Sequence, residues 1–333
     1  RIHQILAAAD PGLPALVVGL LTGKIDVRTF PYPFIVSLVS SQLDVDRMDY
    51  LLRDSLYTGT LYGNFDLERV IHTLTLHGDR LVFVEKGIPS AEEYVLARYY
   101  MYWQVYFHKT TRGEELLLRR AWARAVELYR QGLLPQEVVL PTLVPLLRET
   151  ADLAAYLAVD DLDVSMALKL WRHSSDAILS DLAGRLLDRR LLKPVFKTQR
   201  SMVSAERLPA AVEVVRHAGF DPDYYFLIDT ARDVTYDYYT EAEEPEPTTT
   251  TATTTASASD GLGDARGREP AIHGRWCKVG GPEPILVLDS LGHLRELSKL
   301  SDVIRALVSR ERTAVNIFVP AECRAEVAAV LGK

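Results

Sequence analysis

A chain of 333 residues, 48% of them hydrophobic and 25% charged, is long enough to bury a large core and to divide into two domains. Its formal net charge of −7 and isoelectric point near 5.7 exclude broad electrostatic binding to nucleic acid or to an anionic membrane, although a local basic patch would still hold phosphate. Cys277 and Cys323 match no zinc-ligand spacing or disulfide framework, no apolar run approaches the roughly 20 residues of a spanning helix, and no secretory leader is visible; together these point to a soluble protein of the reducing cytoplasm.

The chain starts in helix-like sequence, "RIHQILAAAD", at Arg1 rather than at methionine, which leads to the expectation that an N-terminal piece precedes it. The stretch Ser40 to Gly59, "SSQLDVDRMDYLLRDSLYTG", predicts a helix, followed by turns at Gly59 and Gly63 and renewed helical spacing in "FDLERVIHTLTL". "DRLVFVEKG" reads as a short strand pair or hairpin. A long helix is expected from "PSAEEYVLARYYMYWQVYFHKT", with Ser90 as N-cap and Glu93 three residues on as a capping box. "GEELLLRRAWARAVELYRQG", "DVSMALKLWRH" and "AILSDLAGRLLDRR" predict further helices, and "QEVVLPTLVPLLRE" predicts one kinked or broken at Pro141 and Pro145.

After Lys197 the elements shorten: helix "LPAAVEVVRHAG", strands "YYFLIDTARD" and "EPILVLDS", helix "LSDVIRALVSR", strand "AVNIFVP" and terminal helix "AECRAEVAAVLG". The expected fold is therefore mainly α, a helical bundle over residues 1–198, followed by a small α+β domain over 199–333. An acidic and then Thr/Ser/Ala-rich stretch at about 241–270 reads as a disordered insertion, and its "GLGDARG" neither follows a strand nor opens a helix, so it is no phosphate loop. GxSxG, Walker A and CxxC arrays are absent from the sequence.

At 100° per residue the Ser40–Gly59 helix places Asp46, Tyr50, Arg53 and Tyr57 on one side, with Asp49 and Asp54 at its flanks, while Val45, Met48, Leu51, Leu52 and Leu56 gather opposite. A charged face usually meets only water, and Asp49 with Arg53 makes an ordinary i,i+4 pair. Tyrosines at i and i+7 beside carboxylates, after the apolar "PYPFIVSLVSSQ", instead suggest an inward-facing carboxylate that needs a cation, a metal being one candidate.

In this helix, with "YGNFDLERVI" after it, the chain resembles HD-superfamily phosphohydrolases related to deoxynucleoside triphosphate triphosphohydrolases. Collinear matches continue in "VEKGIPSAEEYVLARYYMYWQVYFHKT", "YLAVDDLDVSMALKLW", "LLDRRLLKPVF", "YYFLIDTARDVTYDYY" and "ILVLDSLGHLRELSKLSDVIRAL", covering nearly the whole chain outside the Thr-rich stretch. The resemblance implies an HD-domain helical bundle in which Asp46, the second Asp of "DVDR", is the last ligand of a divalent metal site. Arg47 then serves the catalytic centre by contacting substrate phosphate, and Tyr50 and Asp54 lie beside the deoxyribose. On the later helix it implies phosphate and sugar contacts at Arg98 and Tyr106, and in tetrameric relatives a regulatory nucleotide site near a segment like that of Arg189, Arg190 and Lys193. The implied activity is metal-dependent hydrolysis of (deoxy)nucleoside triphosphates to nucleoside and triphosphate by a cytoplasmic homo-oligomer.

The chain departs from this pattern before Asp46: only His3 precedes it, and no HD dipeptide occurs anywhere in the sequence. Alternatives thus stand beside the leading reading: an HD phosphodiesterase acting on another phosphoester, and a nucleotide-binding or assembly module that does no chemistry. Among other histidines, His72 and His77 are spaced for different helix faces rather than for ligation, and His108 with Lys109 suits the C-terminal end of the aromatic helix. Arg98, within a stripe containing Tyr94, Tyr102 and Lys109 with Tyr106 beside it, needs an anion or an acidic partner.

Overall fold

The computed structural model describes residues 2–22, 24–25, 30–198, 205–234, 284–307 and 311–332. The Thr-rich stretch and Cys277 lie outside the described residues. The protein is mainly α-helical with a smaller mixed α and β part, as the pattern of periodicities predicts. Among the described residues the strands are β1 (Leu74–His77), β2 (Arg80–Val84), β3 (Lys193–Thr198), β4 (Leu227–Val234), β5 (Leu286–Leu288), β6 (Leu294–Glu296) and β7 (Glu311–Val319). No helix among them is long and apolar enough to cross a membrane.

Contacts divide the chain into two compact units, Arg1–Tyr99 with Val234–Arg310, and Tyr100–Asp233 with Glu311–Lys333. The boundary at residue 198 read from sequence texture is a different partition. Strands join whichever edge offers hydrogen bonds, so β5 pairs with β2 in the first unit while β7 pairs with β3 in the second.

In the first unit β1 and β2 form an antiparallel hairpin, with His77 opposite Arg80, and β5 extends it in parallel to give the order β1-β2-β5-β6. Val82, Phe83 and Val287 are completely buried there. The Val45–Thr58 helix begins at Asp44 and ends at Gly59, whose φ of 69° is the left-handed conformation that glycine adopts without a Cβ penalty. Its buried positions are Met48, Leu51 and Ser55, a narrower stripe than expected, since Val45 and Leu56 are exposed. Arg53 does pair with Asp49 in solvent, at 2.9 Å.

The next long helix differs from its predicted start. It runs from Ile88 to Met101 out of a 3-10 turn at Glu85–Gly87, so Ser90 lies inside the helix rather than at its N-cap. Glu93 is free of any capping box and accepts a hydrogen bond from the Asp66 backbone N–H at 3.2 Å. At its far end the helix widens into a π turn over Tyr102–Tyr106 and stops. His108, expected to finish this helix, is the N-cap of the following one, its Nδ1 accepting from the Thr110 N–H at 3.3 Å.

The second unit packs the helices Lys109–Arg130, Ala177–Leu187, Leu208–His217 and Arg324–Leu331 around a three-stranded sheet of order β3-β7-β4. Ile317, Phe318 and Val319 on central β7 are fully buried, the uninterrupted apolar run of a strand covered on both faces. β3 is an edge strand, which accommodates Pro194. A second cluster centres on Trp171 with Leu143, Leu147 and Leu179. The segment with Pro141 and Pro145 is broken, as expected, into a 3-10 turn at Pro141–Leu143 and a single turn at Val144–Leu147.

Three arginines enter this interior, each facing carboxylates. Arg112 forks onto Asp229, Arg124 onto Asp176, and Arg185 reaches Asp181 and Glu322. The Arg112–Asp229 pair is the most enclosed, with side chains 9% and 3% exposed. Removing one partner of such a pair strands a desolvated charge, so Asp229→Ala is expected to cost about 3 kcal/mol. Urea unfolding monitored by circular dichroism checks this, and a loss under about 1 kcal/mol would show that Glu115, the other partner of Arg112, suffices alone.

Candidate functional site

The candidate site is built at the N-terminus of the Val45–Thr58 helix. The chain enters through a turn in which the Ser41 hydroxyl accepts from the Leu43 N–H at 2.9 Å. Asp44 follows in extended backbone, and its Oδ1 accepts from the Arg47 N–H at 2.8 Å, satisfying one of the helix's first free donors. The other carboxylate oxygen, Oδ2, lies 2.9 Å from Arg47 Nη1, and the same Nη1 donates to the Ser41 carbonyl. One guanidinium nitrogen is thereby tied to the turn, leaving Nη2 and Nε as the outward part of the fork.

The Ile88–Met101 helix supplies the second cation. Tyr94, completely enclosed and edge-on to Phe65 at 5.2 Å, donates its hydroxyl to the Gln42 carbonyl at 2.8 Å. Arg98 is one turn further along the same face and its charge acts on Asp44. The carboxylate that feels this charge is Asp44, the first Asp of "DVDR". Burial pushes the Asp44 carboxyl above the ordinary carboxylate value; Arg47 and Arg98 pull it down, and the neighbouring Asp46 charge adds to the rise.

The structure brings Asp44, Asp46, Arg47 and Arg98 together in the first unit. Asp46 is exposed in the first helical turn, so the buried carboxylate of the segment is Asp44, not Asp46. Tyr50 and Asp54 follow on the same helix and are half-buried. Tyr106 belongs to the second unit, in the π turn, with its ring 5.3 Å from that of Tyr102. Arg189 and Lys193 also belong to that unit and are exposed. Arg189 sits at φ 55° after the Ala177–Leu187 helix, and Lys193 opens β3 rather than closing a helix. Arg190 lies 3.8 Å from Asp188.

Asp44 was missed as a site residue because its spacing announces only a helix cap, while its burial is a tertiary property that spacing does not carry. A cavity of about 620 Å³ runs along the other side of the same helix, lined by Leu38, Met48, Leu52, Leu56, Leu67 and Ile71. Its walls are mostly apolar and its arginine, Arg53, is engaged by Asp49, so it lacks the free cations that a triphosphate requires. Among the described residues no three His, Cys, Asp or Glu side chains converge as a metal-binding group. With Asp46 offering one carboxylate and Asp44 engaged by Arg47, this donor set by itself does not fit a divalent ion, which takes several ligands.

The chain is similar in sequence and fold to known proteins. Residues 65–140, which carry Arg98 and Tyr106, match the HD associated region. The chain is 30% identical over 321 residues to the uncharacterized protein YwfO of Bacillus subtilis, covering 96% of this chain and 64% of that protein. A shorter stretch of 98 residues is 32% identical to a deoxynucleoside triphosphate triphosphohydrolase SAMHD1 homolog of Dictyostelium discoideum, covering 29% of this chain and 19% of that one. The fold matches the crystal structure of a phosphohydrolase from Bacteroides thetaiotaomicron with a TM-score of 0.70 and 25% identity, over 96% of this chain and 70% of that chain. A hypothetical protein from Aquifex aeolicus shares the fold with a TM-score of 0.58 at 21% identity, over 94% and 63% of the two chains. The chain thus spans 64% of the length of the Bacillus protein and 70% of the Bacteroides chain.

The helix that carries Tyr94 and Arg98 is fixed by a close approach at its root. A Cβ on Gly87 would lie 2.6 Å from Thr73 Cβ and 2.9 Å from Phe83 Cδ1, and both neighbours are buried. Gly87→Ala should destabilise the protein by about 1–3 kcal/mol through overpacking. Thermal unfolding checks this, and an unchanged midpoint would mean that the helix start shifts freely.

Proposed function

We propose, from the premise that this chain is related in sequence and fold to the HD-superfamily phosphohydrolases, that it acts on a phosphoester of (deoxy)nucleoside triphosphates. The observation that supports this most is the Arg47 guanidinium held at the start of one helix by a buried carboxylate, on which the charge of Arg98 also acts. Guanidinium donors match phosphate oxygens in geometry as well as charge, and the helix N-terminus adds its positive dipole end. In this reading Arg47 and Arg98 hold the phosphates, while Tyr50 and Asp54 contact the sugar. Water attacks the α-phosphorus, the bond from that phosphorus to O5′ breaks, and O5′ leaves with a proton as nucleoside, releasing triphosphate.

A divalent ion is part of the same reading, with Asp46 as one of its ligands; such ions polarise phosphoryl oxygens. What these residues contribute themselves is binding and orientation. The reading also includes a homo-oligomer whose regulatory nucleotide would lie near Arg189 and Lys193, a statement that light scattering with and without nucleotide checks directly.

The direct test is a panel of deoxynucleoside triphosphates and other phosphoesters presented to the full-length gene product. Triphosphate release from the nucleotides is expected. Asp46→Ala should abolish it, and Arg47→Ala should lower kcat/KM by about 10- to 100-fold, the effect of one charge-assisted hydrogen bond. Full turnover by Asp46→Ala would refute the assignment. Hydrolysis of a different phosphoester alone would make the protein a phosphodiesterase, and tight nucleotide binding without product would make it a binding module.

A further inference from the structure

We infer that Asp44 is a positioning residue for anion binding: its buried carboxylate holds the Arg47 guanidinium with its free edge outward. The inference rests on the phosphate-binding reading of these arginines and adds a residue that the reading does not include. Asp44 differs from an ordinary N-cap in two ways. The carboxylate is 6% exposed, whereas a cap on a surface helix sits in water. It uses both oxygens, Oδ1 on the Arg47 backbone N–H and Oδ2 on that residue's side chain, so cap and clamp act on one residue.

The arrangement restricts Arg47 in a specific way. An unrestrained arginine loses most of its rotamer freedom when it binds an anion, and that loss weakens binding. Here Nη1 is held between the Asp44 carboxylate and the Ser41 carbonyl before any ligand arrives. The planar guanidinium then has its orientation set, and Nη2 with Nε presents the parallel pair of N–H groups that suits a phosphate.

A purely electrostatic argument gives the opposite sign. If Asp44 only screened Arg47 and Arg98, neutralising it would strengthen the positive field and tighten anion binding. The sign of the change therefore separates positioning from screening.

The experiment is a double-mutant cycle on the 333-residue chain, with inorganic tripolyphosphate as the probe and calorimetry at low salt as the readout. Asparagine caps helices as well as aspartate does, so Asp44→Asn preserves the cap and removes the charge that grips Arg47. Asp44→Asn is expected to weaken tripolyphosphate binding about 10-fold while leaving the thermal midpoint near that of the wild type. In an Arg47→Ala background the same change should have little further effect, because Asp44 acts through Arg47. Unchanged or tighter binding by Asp44→Asn overturns the inference, as does an effect that persists undiminished without Arg47. Absence of tripolyphosphate binding by the wild-type chain overturns both this inference and the phosphate-binding reading. If the cycle holds but the full-length protein turns over no nucleotide, the hydrolase reading falls and the positioning role stands.

Discussion

The first unit's site depends on the burial of one carboxylate. Desolvation alone would drive Asp44 toward its neutral form or out of the fold, and each neighbouring contact offsets part of that cost: the Arg47 backbone N–H, the Arg47 guanidinium and the field of Arg98. These contacts require the helix to begin at residue 45 and the turn before it to be held in place. The Tyr94 hydroxyl on the Gln42 carbonyl secures that turn, and the tight root of the Tyr94 helix at Gly87 secures Tyr94 in its place. Sheet, hairpin and helix thus converge on a few atoms at one helix end.

The second unit solves the same problem with different elements. Arg124 is shared by Asp176, Glu127 and Tyr224, and Arg185 lies over the Phe220 and Tyr225 rings while reaching Asp181 and Glu322. The hydrogen bond from the Tyr224 hydroxyl helps hold Glu127 below its usual value, and burial together with the bond to Asp181 pushes the Tyr225 phenol upward. Every buried guanidinium has a carboxylate from another part of the chain, so these pairs define which helices lie together more than they add net stability.

How much of this was legible in the sequence depends on the range of the interaction. The helix bearing "DVDRMDYLLRD", its stop at Gly59, the hairpin and the break at Pro141 all follow from neighbours within a turn or two, and the structure contains them. The capping box at Ser90 did not form because a 3-10 turn had already started the helix and Glu93 found Asp66 instead. His108 changed roles because the π turn ended one helix and left the imidazole to open the next. At the site, helical periodicity pointed to Asp46 as the inward carboxylate, but the residue just before a helix is outside that periodicity. Burial at Asp44 belongs to the tertiary fold, in which Tyr94 secures the preceding turn through the Gln42 carbonyl, and spacing cannot reveal it.

Arg47 is, on local grounds, in an unfavourable place. A cation in the first turn of a helix opposes the macrodipole, whose positive end it faces, and is there only if something offsets the repulsion. Asp44 and Asp46, both just before it in sequence, do so, Asp44 by direct contact. A helix end that needed only to be capped would have used Asp44 alone and left residue 47 neutral. The combination of an enclosed acid and a tethered arginine keeps positive charge where backbone N–H groups already point outward, at the expense of local helix stability. In the proposed reading that is what a polyanion needs, and it is the reason the phosphoester is placed at the start of this helix rather than at the apolar cavity along its side.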